Sequence, residues 1–142
     1  MKIIKINLYN EKFSKFLFIL RNKNYVRKNS LNKKIINYQN HKYWLKKFLK
    51  NNTINILVYK KQMAGYVRLL KSKTYIDCSW AVLKKFQGNG IAAKALKTIT
   101  NDKKTYRALI KIDNIPSKLV AKKANFRLKL LRKDIEYYYK NK

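Results

Sequence analysis

Two glycines at the start of an apolar, helix-like run could form an anion-binding turn. Gly88 and Gly90 lie in the segment Gln87-Gly88-Asn89-Gly90-Ile91-Ala92, and apolar residues then recur at helical spacing as far as Ile99. Glycine lets the backbone approach a bound group closely, and the free N–H groups and dipole of a helix start favour negative charge. The pattern therefore predicts a phosphate or pyrophosphate site. It is neither a P-loop, since GxxxxGK[ST] is absent, nor a complete GxGxxG.

The charge of the chain favours anionic partners. The 142 residues include 36 Lys and Arg against 6 Asp and Glu, for a formal net charge of +30. Most of the basic residues are Lys, and the abundance of Lys, Asn, Ile and Tyr is typical of an A/T-rich genome, which explains many of the lysines. The shortage of acids is harder to explain in this way, so nucleic acid, an acidic membrane surface and a phosphate-bearing small molecule are all candidate partners.

Composition also argues against several classes of protein. Cys78 and His41 are the only cysteine and the only histidine, so we expect no disulfide framework, no cysteine-based zinc site and no metal. The longest apolar run has five residues, and the N-terminus lacks a signal-peptide core, so we expect a cytoplasmic protein without a membrane partner. With 46% apolar residues the chain can form a genuine core.

The glycine turn must be positioned by a mixed α/β arrangement. Apolar periodicity predicts a strand over 2–8, a helix capped by Asn10, a polar loop over 21–34, a helix over 38–49, strands over 54–59, 63–70 and 74–83, a helix over 91–99, a strand over 106–112, a helix over 117–124 after Pro116, and a hairpin of 126–131 with 135–139. An antiparallel meander followed by a parallel βαβ crossover predicts a mixed sheet.

The order of these motifs resembles the GNAT acetyltransferase superfamily. Segment 87–92 is similar to the compact R-G-x-G-I/L-G form of its acetyl-CoA loop. Segments 64–69 (AGYVRL) and 77–82 (DCSWAV) resemble its third and fourth strands, and segments 110–117 and 124–126 resemble its later N-x-x-S and G-F motifs. The resemblance covers almost the whole chain. It implies an α/β fold with a mixed, mostly antiparallel sheet flanked by helices, in a single domain over residues 1–142.

The resemblance implies an N-acetyltransferase that uses acetyl-CoA as co-substrate and transfers the acetyl group to a primary amine by direct attack. Backbone amides of 88–92 would hold the pyrophosphate, Ala81 and Val82 would pair with the pantetheine amides, and the Val82 N–H would stabilise the oxyanion. Asn114 would bind the pantetheine arm and Lys118 the 3′-phosphate. The implied co-substrate residues are Ala81, Val82, Gln87, Gly88, Asn89, Gly90, Ile91, Ala92, Asn114 and Lys118.

Three side chains are candidates for proton transfer or orientation. Asp77 matches a position where many relatives carry a Glu base, although it could equally be a solvated or lysine-paired strand residue. His41 has a side chain whose ordinary pKa near 6.5 suits a base, or it packs beside Trp44 on a helix face. Ser79 would orient the acceptor or a water, or it is a plain strand serine. Many members carry a Tyr seven residues after the Asn as the acid for the thiolate, but here that position is Ala121.

We expect the amine that accepts the acetyl group to carry negative charge. Arg21, Asn22, Arg27 and the His41-x-x-Trp44 pattern resemble N-acetyltransferases of nucleotide-linked amino sugars in surface-glycan synthesis, and Arg21, Arg27 and Arg68 are the implied charges for a diphosphate. Arg-Asn and His-x-x-Trp also occur in relatives that acetylate ribosomal-protein N-termini, so an acetyltransferase of protein N-termini or lysines is the alternative. A homodimer is also possible.

The alternative from a different class is a non-catalytic nucleic-acid-binding protein, motivated by the charge and by 13% aromatic residues. The lysines are scattered along the chain, and no RNP, KH or helix-turn-helix pattern is present, which argues against it.

Overall fold

Seven strands form one mixed sheet in the computed structural model, which describes residues 1–141. The strands are β1 (Lys2–Ile6), β2 (Thr53–Tyr59), β3 (Gln62–Lys71), β4 (Ile76–Val82), β5 (Tyr106–Lys111), β6 (Arg127–Arg132) and β7 (Ile135–Lys140). Their order in the sheet is β1-β2-β3-β4-β5-β7-β6, and neighbouring strands are antiparallel except β4 and β5. The predicted α/β architecture and the single parallel crossover are confirmed.

Five α-helices connect the strands, and local caps fix where the longer ones begin. They are α1 (Glu11–Arg21), α2 (Asn24–Arg27), α3 (Tyr38–Phe48), α4 (Ile91–Ile99) and α5 (Ile115–Lys123), with a 3₁₀ turn over Lys84–Phe86. The Asn10 side chain accepts a hydrogen bond from the Phe13 N–H and so caps α1, as predicted. Asn37 and Asn114 cap α3 and α5 in the same way.

The loop after α1 and the end of the first strand differ from the sequence prediction. The segment expected to be a loop over 21–34 contains the short helix α2, because four residues suffice for the bonds from the Lys28 and Arg27 N–H groups to the carbonyls of Asn24 and Lys23. The first strand ends at Ile6 instead of continuing to Leu8, whose side chain is 79% exposed and so has nothing to pack against.

The helices cover both faces of the sheet. One apolar cluster joins α1 and α3 to β2 through residues such as Leu17, Leu45 and Ile56. The other joins α4 and α5 to the opposite face through Leu96 and Ala121, among others. Alternate residues of the central strands therefore enter different clusters, as the two-residue period of a strand requires. Among residues 1–141, no helix is long and apolar enough to cross a bilayer.

Candidate active site

A cavity of about 670 Å³ opens between strands β4 and β5. It is bounded by β4 on one side, by the glycine turn and the start of α4 at one end, and by the α1–α2 region and α5 elsewhere. Its lining includes Arg21, Tyr25, Val26, Leu31, Tyr66, Arg68, Asp77, Cys78, Ser79, Trp80, Ala81, Val82, Gln87, Gly88, Gly90, Ile91, Ala92, Ala93, Leu109, Asn114, Ser117 and Lys123. A volume of this size suits a large, cofactor-like ligand.

The cavity exists because the two parallel strands separate. β4 and β5 are paired only at Ile76 with Tyr106 and at Asp77 with Arg107, although both strands continue beyond this point. Five further residues of β4 then follow without a partner on that side. The sheet is therefore open at its centre, and this leaves backbone hydrogen-bonding groups along the edge of β4.

Strand alternation identifies which backbone groups face the gap. The Ile76 N–H donates to the Thr105 carbonyl on the β5 side, and the Leu83 N–H donates to the Ala64 carbonyl on the β3 side. Because successive residues of a strand point their N–H groups to opposite sides, the N–H groups of Trp80 and Val82 face the gap. The backbone of Ala81 instead pairs with Tyr66 of β3. The predicted role of the Ala81 backbone conflicts with this register, and the Trp80 N–H faces the gap instead. The Val82 N–H also faces the gap, and its predicted role stays a prediction.

Six successive N–H groups of the glycine turn have no acceptor among residues 1–141. They run from Gly88 to Ala93, and the first helical bond of α4 is donated by Lys94 to the Gly90 carbonyl. Gly88 and Gly90 have φ values of +85° and +70°, in the left-handed region that favours glycine, and a Cβ at either would meet nothing within 4 Å. The glycines are thus needed for backbone conformation and not for space. A row of free donors at a helix start is an anion-binding arrangement.

The flanking side chains of this turn are both held by backbone carbonyls, although Gln87 also lines the cavity. The Gln87 amide donates to the Val82 carbonyl at 3.1 Å, and the Asn89 amide donates to the Phe86 carbonyl at 3.1 Å. Both side chains therefore brace the turn, and Asn89 is absent from the lining. Of these two residues, only Asn89 keeps a free backbone N–H for a ligand, because the Gln87 N–H donates to the Lys84 carbonyl at 3.2 Å.

Of the residues predicted to contact the pantetheine arm and the 3′-phosphate, Asn114 lines the cavity and Lys118 does not. Asn114 lines the cavity and is 7% exposed, and its side-chain oxygen accepts the Ser117 N–H at 3.3 Å. Lys118 lies outside the cavity lining. Its ammonium donates to the Ile112 carbonyl at 2.8 Å and lies 3.3 Å from a Glu136 carboxylate oxygen. The Lys118 ammonium is therefore already occupied. Lys123 lines the cavity and is better placed to meet a phosphate, but the sequence analysis did not predict it.

Asp77 is the acidic residue in the lining, and both its oxygens are engaged. The Nε and Nη2 atoms of Arg107 donate to the two oxygens at 2.6 and 2.9 Å. This contact raises the pKa of Arg107 above its ordinary value. The Arg107 guanidinium also lies 4.0 Å from the centroid of the Tyr75 ring. Each carboxylate oxygen keeps a second lone pair, so Asp77 can still accept a proton through a water.

The other two predicted catalytic side chains lie in different places. Ser79 lies two residues after Asp77 on β4 and lines the cavity. His41 is 2% exposed and lines a second, much smaller cavity. Its Nε2 lies 3.0 Å from the Ser14 carbonyl oxygen, and burial lowers the pKa of the imidazole below its ordinary value. His41 is therefore not brought together with Asp77 and Ser79, and the prediction that it is the base conflicts with this placement.

Two arginines that line the cavity lie against the same tryptophan ring. The guanidinium carbons of Arg21 and Arg68 lie 5.6 and 5.7 Å from the centroid of the Trp44 ring. Neither guanidinium has a hydrogen bond or a carboxylate partner among residues 1–141. Burial lowers the pKa of Arg68, and burial likewise raises the pKa of the neighbouring Tyr66 phenol. Two adjacent cations without a counter-ion favour an anionic ligand.

The remaining predicted acceptor residues have structural contacts. Both ends of the Asn22 amide bond the backbone of Ile36, at 2.9 and 3.1 Å, which holds the end of α1 against the segment before α3. Arg27 donates to the Asn24 side chain at 3.0 Å. Neither residue is in the cavity lining, so both acceptor-binding predictions conflict with the structure. The Trp44 ring lies against the guanidinium groups of Arg21 and Arg68 and does not line the large cavity. Among residues 1–141, no group of three or more potential metal ligands is present.

Comparison with known proteins identifies which fold this chain has. No protein-family model and no curated protein matches this chain. Among solved structures, a ribosomal L7/L12 alpha-N-protein acetyltransferase, RimL, in complex with coenzyme A superposes with a TM-score of 0.81, at 16% identity, over 94% of this chain and 90% of that one. Spermidine N-acetyltransferase from Vibrio cholerae, with CoA and spermine, gives 0.79 at 12% identity over 96% and 94%. A GNAT-family acetyltransferase from Bacillus anthracis gives 0.75 at 17% identity over 98% and 93%. This chain therefore has the fold of the GNAT N-acetyltransferases.

Proposed function

We propose that this protein is an acetyl-CoA-dependent N-acetyltransferase. The observation that carries the proposal is that two features meet at one cavity: the six free N–H groups of the turn from Gly88 to Ala93, and the N–H groups of Trp80 and Val82 on the unpaired edge of β4. The first suits a pyrophosphate and the second suits an amide-containing arm lying alongside a strand. Coenzyme A has both parts in one molecule, and two of the similar structures hold it.

Different residues of the cavity would perform the separate steps of acetyl transfer. Acetyl-CoA supplies a thioester whose carbonyl carbon is attacked by the amine: a C–N bond forms, the C–S bond breaks, and the thiolate takes up a proton. The Val82 N–H, which faces the gap, is placed to stabilise the negative charge that develops on the carbonyl oxygen. Asp77, through a water, accepts the proton that the ammonium must lose, and Ser79 orients that water or the acceptor. His41 is too deeply buried in another cavity for this task.

The charge of the cavity supports an anionic acceptor. Arg21 and Arg68 present two cations without a counter-ion, whereas the single acidic lining residue, Asp77, is neutralised by Arg107. A polycationic acceptor such as the spermine of the Vibrio enzyme would face repulsion here. We propose an amine that carries a phosphate or carboxylate, with nucleotide-linked amino sugars as the favoured class and a protein N-terminus as the alternative.

Calorimetric titration tests the co-substrate first. Acetyl-CoA is titrated at about 0.5 M NaCl with ATP as the control, because a chain of charge +30 attracts any polyanion and salt screens that attraction. We expect acetyl-CoA to bind and ATP to bind far more weakly. Loss of both signals together as salt rises would contradict the proposal and would favour the nucleic-acid alternative.

The acceptor is tested by the release of the CoA thiol from acetyl-CoA. Paired amines that differ only in charge, such as glucosamine and glucosamine 6-phosphate, are compared at equal concentration, together with a short peptide with a free N-terminus. We expect a higher kcat/KM for the phosphorylated amine. A preference for the uncharged amine would contradict the anionic class.

A further inference from the structure

A small cavity lies directly behind the two acceptor-site arginines. It measures about 10 Å³, and its lining comprises Leu17, Arg21, His41, Trp44, Ile54, Tyr66 and Arg68. Arg21, Tyr66 and Arg68 also line the large cavity, so these three residues form the wall between the two spaces. A volume near 10 Å³ corresponds to about one water molecule.

His41, which lines this cavity, carries an unpaired hydrogen-bond acceptor. Its Nε2 must carry the hydrogen, because the Ser14 carbonyl at 3.0 Å can only accept. In the neutral ring, which burial favours, Nδ1 is then a lone-pair acceptor. This atom is buried and has no hydrogen-bond partner among residues 1–141. A buried acceptor of this kind is costly unless it is satisfied.

The surroundings of His41 supply suitable donors. Three residues that carry donors line the same cavity: Arg21 on α1, and Tyr66 and Arg68 on β3. Each guanidinium has five N–H donors, and neither makes a hydrogen bond to residues 1–141. The aromatic rings of Phe18, Tyr38 and Trp44 pack near His41, at centroid distances of 5.6, 6.1 and 5.9 Å.

We propose that one water molecule occupies this cavity, donates to His41 Nδ1 and accepts from the guanidinium of Arg68 or Arg21, so that His41 is a positioning residue of the anion site. The bridge holds one side of the guanidinium and leaves its other donors facing the large cavity. Because Arg68 is partly buried and has no carboxylate partner among residues 1–141, the bridge takes over the orienting role that an acidic residue would otherwise perform. The anion-binding part of this inference rests on the proposed anionic acceptor, whereas the water site does not.

A crystal structure tests the water site directly. We expect an ordered water within about 3.2 Å of both His41 Nδ1 and a guanidinium nitrogen. A direct contact between His41 Nδ1 and a guanidinium, or density without a water at this place, would overturn the proposal.

Phosphate binding tests the positioning role. Inorganic phosphate is titrated by calorimetry into protein saturated with CoA, so that the glycine turn is occupied and the arginine site remains. We compare wild type with His41→Phe, which keeps an aromatic ring and removes the acceptor, and with His41→Asn, whose side-chain oxygen can replace Nδ1. Tyr38→Phe is the matched control, since it alters the same aromatic cluster outside the small cavity.

The expected result is a phosphate Kd about fivefold higher in His41→Phe, near the wild-type value in His41→Asn and Tyr38→Phe, with the Kd for CoA unchanged throughout. If His41→Phe melts cooperatively and binds phosphate as tightly as wild type, the positioning role of His41 is overturned, but the anion site is not. Wild-type protein that binds CoA but no phosphate would overturn the anion site, and with it both the anionic acceptor and this role. Failure to bind CoA would contradict the proposed function itself, so the three failures are distinguishable.

Discussion

Substitution of Gly90 tests the link between backbone conformation and acetyl-CoA binding. Gly90 precedes α4 with φ +70° and ψ 15°, and a Cβ there would meet no atom within 4 Å. The cost of an alanine is therefore conformational, about 1 to 2 kcal/mol for a left-handed L-residue. For a chain of this length we expect Gly90→Ala to lower the melting temperature by about 3 to 6 °C. The β-branched side chain of Gly90→Val should cost more.

Binding should fall further than stability. If the turn relaxes out of the left-handed region, the N–H groups of Gly88 to Ala93 no longer converge, and each lost contact to a charged phosphate costs about 1.5 to 3 kcal/mol. We expect the acetyl-CoA Kd of Gly90→Ala to rise about tenfold or more and that of Gly90→Val to become unmeasurable by calorimetry in high salt. Undiminished affinity in Gly90→Val would refute the assignment of the turn.

A matched control separates strain from ligand contact. Asn125 follows α5 with φ +73°, is exposed, and is absent from the cavity lining. Asn125→Ala thus introduces the same kind of backbone strain at a distance from the turn. We expect a lower melting temperature with an unchanged Kd for acetyl-CoA. An equal loss of binding in both variants would mean that general destabilisation, and not the turn, is responsible.

Three other measurements probe the site. Hydrogen exchange should show the Ala81 amide protected in the free protein and the Trp80 and Val82 amides protected only after acetyl-CoA is added; protection of all three in the free protein would contradict the open edge of β4. Asp77→Asn should lower kcat about 100-fold or more with little effect on the acetyl-CoA Kd, and unchanged turnover would exclude Asp77 as the base. Because burial lowers the pKa of His41 in the folded state, the unfolded state binds the extra proton as pH falls below about 6.5. The stability advantage of wild type over His41→Phe should therefore shrink between pH 7 and pH 5 in thermal melts, and a constant difference would contradict the lowered pKa.

Features that depend on neighbouring residues could be predicted from the sequence. The Asn10 cap, the glycine turn before α4 and the order of strands and helices follow from periodicity and from short-range backbone preferences. The separation of β4 from β5 also agrees with the fold that the motifs imply. The cap, the turn and the element order need no information from distant parts of the chain, since each is decided within a few residues or by the apolar pattern of one element.

The partners of the polar side chains were decided by tertiary structure. Asp77 meets Arg107 because two strands 30 residues apart are paired there, and Asn22 meets Ile36 across the α2 segment. His41 has the residue type of a base, but its helix packs on α1, and this packing directs it into a buried cavity behind the arginines. Register likewise decides that Trp80, and not Ala81, has free backbone groups. The sequence by itself determined which chemical groups and which local turns are present. Packing between distant elements decided which of those groups already have a hydrogen-bond or ion-pair partner and which remain free to bind a ligand. The reason is that a hydrogen bond or ion pair depends on distances that local backbone preference does not set.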